Sequence, residues 1–295
     1  DGSFLNFPII YSVVTNLDKE HLDFYKSFKN LKYSFLKFLN KTPAIGKSFI
    51  CIDDHELKKL VSKIYNKNFL TYGFSKAANF QILNPIYKKS YSIFDLRISV
   101  PGSKKKIIKE IKSNLIGQHN ILNSAAAVAL CLHIGISNNV IKNSLKKFTG
   151  IQRRLTKVFS VNGREFFDDY AHHPTEIQSV LKSLKITSGN RKIVSVFQPH
   201  RYSRLKSLKK DFSFAFKDSD LVVLCPVYPA GEKIDNKYDP VNFAKLISIN
   251  SKVQVMIVKN EHDLKKFFIK NLLENEIVIC MGAGSISKWI REMDL

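Results

Sequence analysis

From about residue 150 onward, short apolar runs alternate with amphipathic stretches, and this alternation constrains the fold more than any other feature. The apolar runs are REFFDDY, KIVSVFQP, DLVVLCPVY, VQVMIV and EIVICMGA. Between them lie a stretch opened by Pro174, one around SLKKDFSFAF, then PVNFAKLI and EHDLKKFFIKNL, with a last helix at the end. After Pro174 the apolar residues Ile177, Val180, Leu181 and Leu184 fall at helical spacing. Proline suits the first helical position, where its fixed φ fits and its missing N–H costs nothing. Strands separated by whole helices cannot form tight hairpins. They pair in parallel, in a sheet covered on both faces, which predicts a doubly wound domain.

Residues 1–149 read differently. A strand in IIYSVVTNL is followed by a helix in SFKNLKYSFLKFL, a strand in SFICID and a helix around ELKKLVSKIY. Several extended segments between residues 68 and 117 then predict an antiparallel insertion, and two helices, GQHNILNSAAAVALCLHIG and SNNVIKNSLKKF, close the region. The boundary falls near residues 148–152, giving domains 1–149 and 150–295, which the chain length allows. The first residue is Asp rather than Met and a strand comes almost at once, so the chain is expected to be part of something longer.

Composition narrows the class. No apolar run approaches the roughly 18 residues of a membrane span, and DGSFLNFPII lacks the basic segment of a signal peptide. A cytoplasmic protein with no membrane partner is the expectation. Cys51, Cys131, Cys225 and Cys280 are far apart and set in apolar segments, as reduced core residues would be. The formal charge of +22 invites a nucleic-acid reading, but lysine is spread along the whole chain like a solvated surface. The one basic run, GSKKKIIKEIK at 102–112, suits a charged hairpin or edge strand. Arginine is scarce, yet Arg153-Arg154 and Arg201/Arg204 make up four of the eight. Where lysine is the default, an arginine pair suggests a need for the rigid fork that grips carboxylate or phosphate.

Three polar segments follow predicted parallel strands: DDYAHHP at 168–174, FQPHRYSR at 197–204 and VYPAGE at 227–232. Parallel strands end on one edge, so Asp168, Asp169, His172, His173, His200, Arg201, Arg204 and Glu232 are expected to line one rim. The first domain adds VVTNLDKEHLDFY, where Asn16, Asp18, Glu20, His21 and Asp23 come just after a strand. There His21 is either a cap or core contact, or a ligand for a divalent cation among oxygen donors. In GQHNILNSA the helix is expected to start near Asn120 and Asn123, whose amides could cap it or pair with an adenine edge. GAGSI at 282–286 has Ser287 where a dinucleotide fingerprint needs its third glycine, and reads as packing or as a weak anion seat. Zinc hydrolysis lacks an H-E-x-x-H pair, and serine hydrolysis lacks a G-x-S-x-G elbow.

With DGSFL, VVTNLDKEHLDFY, GQHNILNSAAAVAL, FTGIQRRL, DDYAHHPTEI, FQPHRYSR, VYPAGE and GAGSI in this order, the sequence resembles the Mur ligase family, and its alanine-adding branch in particular. The resemblance spans essentially the whole chain. It implies an incomplete central Mur-type ATPase domain followed by a doubly wound, mostly parallel, Rossmann-like C-terminal domain. It also implies ATP-dependent joining of L-alanine to UDP-N-acetylmuramate through an acyl phosphate, with Mg2+, in peptidoglycan precursor synthesis. On that pattern His21 binds the metal with Asn16 nearby, and Asn123, with His119 and Asn120, faces adenine. Asp169 takes the ATP ribose and Arg154 reaches phosphate. His200, Arg201 and Arg204 hold alanine, with the catalytic neighbours Tyr170 and His172 beside them. The family's G-x-x-G-K-T-like phosphate loop, the glutamate before DGSF and the UDP-binding first domain are not in this sequence, so the 295 residues alone are expected to be inactive. The rival readings are a tripeptide-recycling muropeptide ligase of the same family, a basic nucleic-acid-binding protein in which Lys104–Lys112 track phosphates, and a non-catalytic remnant that binds nucleotide or partner subunits.

Overall fold

The computed structural model describes residues 2–294, apart from the Asp23 side chain; Asp1, the first residue of DGSFL, lies outside them. Two compact units divide between Thr149 and Gly150.

Unit 1 holds one six-stranded sheet. Its strands β1 (Tyr11–Val14), β2 (Lys47–Cys51), β3 (Phe69–Gly73), β4 (Phe80–Tyr87), β5 (Ser92–Ile98) and β6 (Lys106–Ser113) lie side by side in chain order. β1 to β4 are parallel, whereas β4-β5-β6 form an antiparallel meander, so the expected insertion is the continuation of the same sheet. The lysine run ends on β6, the edge strand, where alternate charged side chains hinder pairing with another chain. α1 (Leu22–Tyr25) and α2 (Phe28–Asn40) fill the β1–β2 connection, and α3 (His55–Val61) follows β2 with Asp54 as its N-cap. α4 (Gln118–His133) crosses β2 to β5, and its buried Ala125, Ala126 and Ala129 let its backbone approach Phe49, Tyr72 and Phe94 closely. α4 starts earlier than expected: Gly117, at φ 95°, is the cap, and Asn120 sits in the first turn with its amide donating to the Ile116 carbonyl. α5 (Asn138–Lys147) completes the unit.

Unit 2 is the doubly wound sheet. Its strands are β7 (Thr156–Val161), β8 (Arg164–Asp169), β9 (Ile193–Phe197), β10 (Leu221–Leu224), β11 (Gln254–Ile257) and β12 (Ile277–Met281), in the spatial order β11-β10-β9-β12-β8-β7. All neighbours are parallel except β7, which forms a hairpin with β8 through Asn162 and Gly163, both at positive φ. Each central strand is buried on both faces. Ile193, Phe197, Val222, Leu224, Ile277, Ile279 and Met281 meet α6 (Pro174–Ser188), α7 (Tyr202–Ser207), α8 (Lys209–Ser213) and α9 (Pro240–Ser251). Val194, Val196, Val223, Val278 and Cys280 point the other way, to α10 (Glu261–Asn271) and α11 (Ile286–Glu292). The single helix expected around SLKKDFSFAF is two short ones, broken at Leu208. None of the described helices is long and apolar enough to cross a membrane.

Candidate functional site

The register levels the strand ends: Met281 lies opposite both Asp169 and Phe197, and Phe197 opposite Leu224. The three polar segments therefore leave the sheet along one edge, where ligands bind in open parallel sheets. Their aromatic rings form a continuous row. Tyr170 and His172 meet edge to face at 5.1 Å, His172 and His200 at 5.8 Å, and His200 stacks on Tyr228 at 5.6 Å and 16°.

Asp168 is a correction to the expected rim. Adjacent strand residues point to opposite faces, and its carboxylate is fully buried beneath α11. There Oδ2 accepts from Ser287 Oγ at 2.6 Å and from Arg291 Nη2 and Nε at 2.9 and 3.2 Å. Ser287, which breaks the dinucleotide fingerprint, thus ties α11 to β8. Gln198 closes the same corner by accepting the Ile286 N–H at 3.0 Å, so the GAGSI turn is packing, as read from the sequence. Gly284 lies directly under Tyr228, where a Cβ would come within 2.5 Å of the ring.

Asp169 faces the opposite way and is nearly as buried. Oδ2 accepts the Leu155 N–H and Oδ1 the Ala171 N–H, each at 2.7 Å. Burial nevertheless raises its pKa to about 6, against these bonds and the nearby Arg154. Asp169 thereby fixes the turn that carries the arginine pair. The turn has left-handed backbone at Arg153 (φ 59°) and Leu155 (φ 48°), and the Tyr170 N–H donates to the Arg153 carbonyl at 2.8 Å. Arg153 turns inward: Nη2 donates to the Gly282 carbonyl at 2.8 Å, and the guanidinium lies 4.6 Å from the Tyr170 ring centroid. Arg154 turns outward, 56% exposed, with Glu176 at 3.8 Å and Tyr170 5.7 Å below.

His172 Nδ1 is 2.9 Å from the Tyr170 carbonyl, an acceptor, so in the neutral ring the proton sits on Nδ1 and the lone pair on Nε2. His173 is spent on structure: buried, it caps α6 with Glu176 in a reciprocal capping box. His200 has the other tautomer, because Arg204 Nη1 approaches its Nδ1 at 3.2 Å and an arginine can only donate. Burial, then Arg204, His172 and Arg201, lower the His200 pKa to about 4. The histidine is therefore neutral near pH 7, and its contribution to stability, full above the ordinary value of 6.5, is lost as pH falls through 4. An NMR titration of the His200 ring should show a midpoint near 4, and Arg204→Ala should move it upward; a midpoint left in the ordinary range would contradict this environment.

In unit 1 the strand-end segment is open. Asn16 and His21 are exposed; His21 adopts φ 53° and lies 3.9 Å from Glu20. Among the described residues no three His, Cys, Asp or Glu side chains gather as a metal cage. The donor set here is one imidazole and one carboxylate, so a Mg2+ ion held at His21 would have to take most of its oxygen ligands from phosphate and water. On α4, Asn123 is exposed one turn beyond the half-buried His119 and Asn120.

Comparison with known proteins matches the two units one after the other. Residues 3–131 fit the Mur ligase middle domain and residues 153–284 the Mur ligase glutamate ligase domain. The chain belongs to the Mur ligase family. It is 51% identical, over 99% of its length, to the UDP-N-acetylmuramate–L-alanine ligase of Pelagibacter ubique, of which it covers 63%, and 36% identical over 98% to that of Brucella anthropi, of which it covers 62%. The chain thus spans about three-fifths of the length of these relatives. Among solved structures, the UDP-N-acetylmuramate–alanine ligase of Thermotoga maritima superposes with a TM-score of 0.75 at 25% identity, covering 99% of this chain and 60% of that one. The MurF ligase of the same organism, in complex with ADP, superposes at 0.72 with 16% identity, over 97% and 61%, and shares the fold. The expectation of a Mur-type middle domain followed by a Rossmann-like domain is thereby met.

Three residues that matter here were not singled out in the sequence. Arg291 and Gln198 act over long separations that no local pattern shows. Tyr228 was visible only as part of VYPAGE.

Proposed function

We propose that this chain supplies the nucleotide and amino-acid residues of an ATP-dependent ligase that joins L-alanine to UDP-N-acetylmuramate in peptidoglycan precursor synthesis, in the cytoplasm. The observation that carries the reading is the basic, aromatic-lined rim formed by DDYAHHP and FQPHRYSR at one sheet edge, in a chain about half identical to a relative of that name. In this reaction the γ-phosphoryl group passes to the muramate carboxylate, the amine of alanine attacks the acyl phosphate, and phosphate leaves. Arg154, outward and held from below, is the cation for the phosphoryl oxygens. Arg201 and Arg204 grip the alanine carboxylate, while the neutral His200 adds no competing charge. His172, with its lone pair on Nε2, takes a proton from the alanine ammonium and so frees the amine lone pair for attack, and Tyr170 orients His172 and Arg154 through its ring. Asn123, His119 and Asn120 face the adenine, and Asp169 serves the ribose in addition to bracing its turn. His21, with Asn16 nearby, would hold Mg2+, which would supply charge neutralisation at the phosphates.

The test is amino-acid-dependent ADP formation with UDP-N-acetylmuramate and Mg2+, by a polypeptide in which these 295 residues follow an upstream region of the length found in the relatives. Alanine should be preferred, and the 295 residues alone should not turn over. Preference for a tripeptide would select the recycling activity instead. In the active polypeptide Arg201→Ala should raise KM for alanine about tenfold or more and leave KM for ATP unchanged; equal effects on both would sink its role.

A further inference from the structure

The roles above leave the VYPAGE segment without a function, yet it is bonded to the loop that carries Arg201 and Arg204. Arg201 adopts φ 68° and ψ 130°, a strained conformation that residues other than glycine rarely occupy. Such a backbone persists only where its surroundings hold it. Here the Arg201 N–H donates to the Tyr228 carbonyl at 2.9 Å, and His200 and Tyr228 form an isolated parallel bridge. Two residues further, the Glu232 carboxylate takes the start of α7: Oε2 accepts the Ser203 N–H at 3.1 Å and Oε1 accepts the Ser203 hydroxyl. Tyr202 is pinned from the same loop by Tyr238, at 5.8 Å edge to face.

We propose that Glu232 is a positioning residue for amino-acid recognition. It grips Ser203, so that the Tyr228–Glu232 segment holds Arg201 in its strained backbone and aims the Arg201 and Arg204 guanidiniums together. Glu232 touches no reacting atom in this scheme. Its carboxylate is held by Ser203 and the Tyr202 backbone and lies within reach of the Arg201 charge, and it acts through the geometry of the arginine pair. The strain has a use: a relaxed Arg201 would rotate its side chain off the common target of the two forks, and two misaligned forks bind a carboxylate little better than one. The choice of carboxylate as the held group rests on the ligase reading of the preceding subsection; the clamp itself does not.

Two measurements on the full-length ligase separate these claims. Amide hydrogen exchange at Arg201 reads the clamp: Glu232→Ala should speed it about tenfold or more, Ser203→Ala should speed it less, and the double variant should match Glu232→Ala. Exchange unchanged in Glu232→Ala overturns the proposal. Steady-state kinetics read its consequence: Glu232→Ala should raise KM for alanine about tenfold with kcat and KM for ATP near wild type, and Glu232→Gln, which still accepts from Ser203, should recover most of the loss. A KM for alanine within about twofold of wild type in a variant whose Arg201 exchange is fast would also overturn the positioning role. Faster exchange together with altered use of an amino acid other than alanine keeps the clamp and rejects the alanine reading. Should Glu232→Ala fold poorly, Ser203→Ala carries the comparison, with faster Arg201 exchange and a raised KM for alanine expected and Glu232→Gln as the near-wild-type control. The absence of both changes in Ser203→Ala overturns the proposal.

Discussion

Replacing Arg291 with methionine should lower the stability of unit 2 by about 3 kcal/mol, at the low end for removing one partner of a buried ion pair. Asp168 has no solvent contact, and among the described residues its carboxylate is met by the Ser287 hydroxyl and by two N–H groups of Arg291 converging on the same oxygen. Arg291 is itself 36% exposed, so part of its charge is screened and the upper end of the range does not apply. Methionine keeps the aliphatic reach but leaves the carboxylate buried beside one neutral donor. Replacing both partners, as Asp168→Leu with Arg291→Met, should recover much of the loss, because neither charge then needs desolvating. Trp289, the one tryptophan of the sequence, lies on the same helix, so denaturant unfolding followed by its fluorescence reports the element affected. A single variant within about 0.5 kcal/mol of wild type would show that α11 does not depend on this pair.

Arg154→Ala is expected to lower kcat about 100-fold, the scale for losing one charged group that stabilises a transferring phosphoryl. KM for alanine should move little. Arg154 adds to its turn an exposed 3.8 Å pair with Glu176 and a charge near Asp169, whereas the hydrogen bonds that hold the turn come from Asp169, the Tyr170 N–H and the inward Arg153. The variant should therefore fold as wild type does and melt at the same temperature. Single-turnover measurement of ADP release separates the chemical step from product release. A rise in KM for ATP with kcat intact would move Arg154 from the reacting phosphoryl to ground-state binding.

The parallel core of unit 2 was legible because its strands are continuous apolar runs, and its helices open on signals such as Pro174 and Pro240. β7 was overlooked although Asn162-Gly163 marks a hairpin, because TKVFSV is half polar and lies at the sheet edge. The spatial order of the strands is set by long-range pairing and has no local signature. At the site, the three loops could be placed on one edge from strand polarity alone. The division of labour within each pair could not. Asp168 and Asp169 are adjacent, and the alternation of strand side chains implies opposite faces, but only packing decides which face carries α11. Arg153 and Arg154 differ in the same way, since one finds the Gly282 carbonyl and the other finds no such anchor. The tautomers of His172 and His200 follow from a carbonyl and a guanidinium contributed by the folded loops.

The position of β12 bears on how the protein is made. β12 is the last strand in unit 2, yet it sits between β9 and β8 near the middle of the sheet, and the Asp168–Arg291 pair it supports joins residues 123 positions apart. As the chain leaves the ribosome, β8 and β9 emerge long before the strand that must separate them. They must wait with a gap between them, or pair wrongly with each other. The ordered edge that carries Tyr170, His172 and His200 therefore comes into being only once Ile277–Met281 have emerged, and a nascent chain cut short before residue 277 has the site's residues without the sheet that aligns them.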